Sequence, residues 1–93
     1  MNKYRIIITP FFNNKLIDYL SIYSYSIIKN IVNKIYNEIY SLDILPKRYH
    51  YIKENDYCFV VMNYRIYYSV YDADGIVVIK NIYYTRENDK NIR

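Results

Sequence analysis

The stretch Asn63 to Arg86, NYRIYYSVYDADGIVVIKNIYYTR, decides the fold. β-Branched and aromatic residues fill two arms, and Gly75, the one glycine of the chain, closes the turn Asp72-Ala73-Asp74-Gly75 between them. The stretch is therefore predicted to form an antiparallel hairpin. In that geometry the start of the first arm lies beside the end of the second, which brings Arg65 towards Arg86 across 21 positions of sequence. Two cations gathered at one end of a sheet raise the question of a shared anion: nucleic acid, a protein carboxylate, or only solvent ions.

Alternation sorts the hairpin into faces. Tyr64, Ile66, Tyr68 and Val70 are expected to face the core, and Arg65, Tyr67, Ser69 and Tyr71 the surface. Val77 and Ile79 continue the core pattern on the returning arm, but Ile82 is out of step, so a bulge is predicted near Lys80-Asn81 that re-aims Tyr84 and Arg86.

Upstream, Tyr4 to Thr9 reads as a strand, and its hydrophobicity on both faces suggests a central one. Thr9-Pro10 starts a helix: threonine can cap free amides, and proline at the first helical position loses no needed donor. Phe12, Leu16, Leu20 and Tyr23 form its apolar stripe, with Asn14, Lys15 and Asp18 on the wet side. Ser24 or Ser26 caps a second helix, in which Ile28, Ile31, Ile35, Ile39 and Leu42 share one face. Leu45-Pro46 ends the helical region, because the residue before proline disfavours the α conformation. Lys47 to Asp56 reads as a solvated loop, and Tyr57 to Met62 as the strand that leads into the hairpin. The fold class is α+β: an N-terminal strand, a helical hairpin, then a three-stranded antiparallel meander in one sheet with its other face open.

The chain has 93 residues, enough for one domain, expected over 1–93, with a single core. It has no apolar run long enough for a membrane span and no signal-peptide pattern, so a cytoplasmic location is expected. The single cysteine, Cys58, allows no internal disulfide and no zinc set; it reads as a small apolar strand residue. The formal charge of +4 permits polyanion binding without requiring it. Fifteen tyrosines beside abundant Ile, Asn and Lys match the residue usage of an AT-rich genome, which removes the tyrosine excess as an argument for base stacking. His50 is the sole histidine; histidine is the residue type suited to proton transfer near neutral pH, but no Ser, Cys or carboxylate spacing around it forms a catalytic unit.

The pattern resembles the RelE/ParE superfamily of type II toxin–antitoxin toxins. The resemblance rests on the strand entering a helix at Thr9-Pro10, the helical hairpin, Pro46 before the sheet, and the series Tyr64-Arg65-Ile66, Tyr68, Val70, Val77, Ile79, Ile82, Tyr84 and Arg86. It implies an antitoxin partner that masks the open face. It also implies one of two poisons: a RelE-like mRNA endonuclease working with the ribosome, or a ParE-like inhibitor of DNA gyrase. A third possibility is a non-toxic, antitoxin-binding member of the family.

For the endonuclease, the resemblance implies catalytic roles for Arg65, Tyr84 and Arg86, with no metal and no cofactor; the basic residues Lys47, Arg48, Lys53 and Lys80 are read as RNA contacts beside them. A fixed guanidinium fork suits phosphate, and Tyr84 stands where relatives carry histidine or tyrosine. One departure is plain: where cleaving relatives often carry lysines on the strand before Tyr64-Arg65, this chain has Asp56 and Cys58.

Overall fold

The computed structural model describes residues 3–86. The elements run β1 (Arg5–Ile8), α1 (Pro10–Leu20), α2 (Tyr25–Tyr40), two 3-10 turns (Ser41–Asp43 and Pro46–Arg48), β2 (His50–Lys53), β3 (Asp56–Val61), β4 (Tyr64–Tyr71) and β5 (Ile76–Tyr84). One sheet of order β1-β5-β4-β3-β2 holds all five strands. β1 is parallel to β5, and every other pair is antiparallel.

Local chemistry accounts for most boundaries. Thr9 caps α1: its hydroxyl accepts the Phe12 amide at 3.2 Å and donates to the Ile79 carbonyl at 2.9 Å, so the same residue starts the helix and ties it to β5. Ser24 stands at the N-cap of α2, but its hydroxyl lies 3.4 Å from that of Ser26 instead of capping an amide. Gly75 closes the β4–β5 turn with φ of +63°, and its amide donates to the Asp72 carbonyl at 3.2 Å. An added Cβ there would meet nothing within 4 Å, so glycine is required for its backbone angle, not for space. The β3–β4 turn is the two-residue Met62-Asn63, with φ of 51° and 69°. Two left-handed residues match the twist of a tight hairpin.

The core forms where the helices meet one face of the sheet. Phe12, Leu16 and Leu20 of α1, Ile31, Ile35 and Ile39 of α2, and Leu42 pack against the expected face of β4 and β5. Phe12, Ile35, Ile39 and Leu42 are fully buried, each contributing about 1.5–3 kcal/mol of transfer free energy. The predicted bulge is present: Tyr67 faces Asn81 and Tyr68 faces Ile79, leaving Lys80 as the extra residue. The parity of β5 reverses there, which carries Ile82 into the core and turns Tyr84 towards the helices.

Three expectations are corrected. β1 is an edge strand, not a central one: Ile6 and Ile8 pack on the core, Ile7 lies beside Val78, and all three remain half-buried. Its outer side is occupied at one point by the Asp43 carbonyl, which accepts the Tyr4 amide at 2.8 Å, so apolar faces did not require a strand on both sides. The presumed loop 47–56 contains β2, and the meander has four strands. β2 is exposed at every position, and its four residues, His-Tyr-Ile-Lys, the lysine apt for an edge, show no polar–apolar alternation. Ser69 is fully buried on the nominally exposed face, because its hydroxyl donates to Asp56 at 2.6 Å while Lys80 lies 3.5 Å from the same carboxylate oxygen.

Candidate functional site

The helices leave the second face of the sheet open. Direct cross-strand partners share a face, so the register places His50, Cys58, Tyr67 and Asn81 in one row across β2, β3, β4 and β5. Val60, Arg65 and Tyr83 form the next row. A shallow concavity of about 550 Å³ opens over these rows, with Tyr49, His50, Ile52, Cys58, Arg65 and Tyr67 among its lining residues. A second, of about 480 Å³, shares Ile52 and Tyr67 as a common wall and extends over Asp56, Lys80, Asn81 and Tyr83.

Arg65 is exposed and, among the described residues, forms no ion pair. Its guanidinium is therefore available to an external anion. Two other cations near this face are already engaged. Lys15 reaches over from α1: its Nζ lies 3.5 Å from the centre of the Tyr83 ring and donates to Asn81 Oδ1 at 3.1 Å. Asn81 Nδ2 in turn donates to the Tyr83 hydroxyl at 3.1 Å, and Tyr83 stands edge-on to Tyr67 with ring centres 5.7 Å apart. Lys80 pairs with Asp56. The Ser69 hydroxyl, and then Lys80 and Lys53, hold the Asp56 carboxyl below its ordinary range despite the opposing cost of burial.

The residues singled out from sequence separate into three places. Arg65 lines the concavity, and Lys80 lines the neighbouring one; Lys53 is the register partner of Asp56 at that corner. Lys47 and Arg48 line neither concavity. Lys47 pairs with Asp72, which also accepts the Tyr4 hydroxyl at 2.7 Å. Arg48 donates to the carbonyls of Ser41, Ile44 and Leu45 and lies over the Tyr49 ring, closing the end of the helical region. Arg65 and Tyr71 are six residues apart on β4, a separation of about 20 Å, with Asp72 beyond.

Tyr84 lies on the far side of the sheet from Arg65. It pairs with Tyr64, and their rings are 5.3 Å apart; the Tyr19 ring of α1 lies 6.4 Å from Tyr84 and 5.8 Å from Tyr64. Burial pushes the Tyr64 phenol up to about 12. Arg86 is exposed just beyond β5, where the Thr85 amide donates to the Asn63 carbonyl at 2.8 Å. The backbone ends of the hairpin thus meet as expected, whereas the sheet divides Arg65 from Tyr84.

Sequence reasoning missed the contribution of Lys15. Its polar helix position carries no sign that α1, anchored at Thr9 to Ile79, runs beside the second half of β5. His50 was visible as a lone histidine, but its alignment with the Arg65 surface depends on a strand that the sequence conceals. Among the described residues, no group of three or more His, Cys, Asp or Glu could hold a metal ion, and no helix is long and apolar enough to cross a membrane.

No family model matches the sequence, and no curated protein matches it. Comparison with solved structures finds the crystal structure of the toxin–antitoxin complex RelBE2 from Mycobacterium tuberculosis, with a TM-score of 0.62 and 19% identity over 90% of this chain and 93% of the other. This likeness establishes the RelE-like fold.

Proposed function

We propose that this chain is the toxin of a type II toxin–antitoxin pair, acting in the cytoplasm as an endoribonuclease on mRNA at the ribosome. The observation that carries the reading is Arg65: a guanidinium with no ion pair among the described residues, on the open sheet face of a fold shared with a toxin–antitoxin complex. Cleavage of RNA without an external nucleophile needs a ribose 2′-oxygen directed at the adjacent phosphorus and positive charge on the phosphoryl oxygens in the transition state. Arg65 supplies that charge, and Arg86, exposed just beyond the end of β5, stands at the same end of the hairpin. The aromatic edges of Tyr67 and Tyr83 flank the path along which adjoining bases would lie. Lys80 and Lys53 add longer-range attraction for the backbone, whereas Lys47 and Arg48 serve the fold first. An antitoxin segment that covers Arg65 and the open face would silence the protein.

The test is 5′-end mapping of mRNA in a purified translation system with the chain in excess over ribosomes. Cuts at defined positions within translated codons are expected, and intact mRNA would exclude the reading.

One observation favours a second reading, inhibition of DNA gyrase. β3 presents Cys58 and Val60 beside Arg65 and no lysine, so its open-face side chains bring no cation to RNA. Unimpaired supercoiling by gyrase under excess of this chain would exclude that alternative.

A further inference from the structure

We propose that His50 is the general base of the cleavage reaction, an assignment that rests on the endoribonuclease reading above. The open face narrows the choice. His50 and Arg65 line the same concavity, His50 from β2 and Arg65 from β4. They are offset by two strands and two register positions, through Cys58 opposite His50 and Val60 opposite Arg65. With strand spacing near 4.8 Å and a rise near 3.4 Å, their Cα atoms lie roughly 12 Å apart. Side chains of these lengths, converging from the two sides, leave room for one phosphodiester and its ribose, and the concavity of about 550 Å³ lies within the general range of small-ligand sites, roughly 300–1,000 Å³.

Four other candidate proton acceptors near this face are committed elsewhere. Tyr84 is on the helix side, against Tyr64 and Tyr19. Asp56 receives the Ser69 hydroxyl and pairs with Lys80. Tyr49 lines the concavity, but its hydroxyl donates to Glu38. Cys58 is buried between its strand neighbours. His50 is exposed, and its imidazole makes no hydrogen bond or ion pair among the described residues.

In the step assigned to it, a neutral ring nitrogen of His50 takes the proton of the ribose 2′-hydroxyl. The 2′-oxygen forms a bond to phosphorus while the bond from phosphorus to the 5′-oxygen breaks. The 5′-oxygen leaves with that electron pair and takes a proton from water; the resulting hydroxide is neutralised by the proton that His50 returns to solvent. The products are a 2′,3′-cyclic phosphate and a 5′-hydroxyl, and no oxidant or reductant is consumed. Arg65 holds the phosphoryl oxygens throughout.

The assay is single-turnover cleavage on programmed ribosomes with the full chain, comparing wild type, His50→Ala, His50→Gln and Arg65→Ala, with and without added imidazole. Ribosome binding is measured in parallel, and circular dichroism checks folding. His50→Ala is expected to lose roughly 10²–10⁴-fold in rate with binding retained, His50→Gln to lose as much, and imidazole to restore cleavage to His50→Ala but not to Arg65→Ala. If His50→Ala fails to fold, His50→Gln, with binding retained, decides by its loss of rate. Wild-type rates in the folded histidine variants, a loss matched by lost ribosome binding, or no rescue by imidazole would each overturn the assignment while leaving the endoribonuclease reading standing. A wild-type chain that cleaves nothing would overturn that reading, and the role of His50 with it.

Discussion

Tyr68→Phe removes one oxygen atom from the centre of the molecule. Tyr68 is fully buried, stacked on Tyr57 with ring centres 5.7 Å apart, and its hydroxyl donates to the Pro46 carbonyl at 2.6 Å. Phenylalanine preserves the ring and nearly all of the apolar contact, so the change isolates the hydrogen bond. Loss of the donor leaves the Pro46 carbonyl without its partner in the interior, at a cost of about 1–3 kcal/mol.

For a domain of this size, each kcal/mol shifts Tm by roughly 4–8 °C; a loss of 1.5 kcal/mol would therefore lower Tm by about 6–12 °C. Urea unfolding followed by circular dichroism is the assay, and the midpoint is expected to fall at unchanged slope, since the surface exposed on unfolding is the same. Because Pro46 opens the turn leading to Tyr49 and His50, the variant should also relax the β2 edge, read as faster amide exchange at His50 to Lys53. A Tyr68→Phe protein within 0.3 kcal/mol of wild type, an approximate threshold well below the expected penalty, would refute the view that this bond holds the proline turn on the sheet.

Replacing the β3–β4 turn residues with Asn at 62 and Gly at 63 (Met62→Asn, Asn63→Gly) should relieve the left-handed strain at Met62 and raise stability by about 1 kcal/mol, read from the urea midpoint; no gain would argue against strain there. At alkaline pH, Tyr64 ionises near pH 12 in the folded protein against about 10 unfolded. The folded pKa is raised, so the stabilisation is fully present below about pH 10 and is lost as pH rises towards 12. Tyr64→Phe should flatten that decline in a pH series of denaturant melts, and an unchanged slope would count against the burial of this phenol. In the ribosome assay, Arg65→Ala should lose roughly 10²–10³-fold in cleavage rate, whereas Lys47→Ala should stay within about threefold of wild type, consistent with the limited value of an exposed ion pair. Equal losses in both would show that position on the open face does not matter.

The legible parts of the fold were those governed by neighbours in sequence. Thr9-Pro10 announced a helix because capping is decided within four residues, and the stripe Phe12, Leu16, Leu20 named its buried face. The phase slip between Ile79 and Ile82 disclosed the bulge, since a strand that must keep apolar residues inward can absorb an extra residue only by bulging. β2 was not legible: its stability comes from pairing with β3, and HYIK carries no alternation of its own.

The candidate site divides in the same way. Arg65 was assigned to the exposed face by simple alternation with Tyr64 and Ile66, and the structure keeps it there. Tyr84 and Arg65 belonged to one motif in sequence, yet the reversed parity after Lys80 places the tyrosine against Tyr64 and Tyr19 on the other side of the sheet. Lys47 and Arg48 looked like phosphate contacts because a basic run has no visible partners; Asp72, distant in sequence, takes up Lys47, and the chain folds back so that the nearby carbonyls of Ser41 and Ile44 take up Arg48.

By itself, then, the sequence determined the hairpin, the two helices, their buried faces and the exposure of Arg65, all consequences of periodicity and local backbone preference. Only the tertiary structure decided which cations remain free, that His50 shares a surface with Arg65, and that Tyr84 does not. Those outcomes depend on strand order and on partners distant in the chain, and a one-dimensional pattern of residue types carries no record of either.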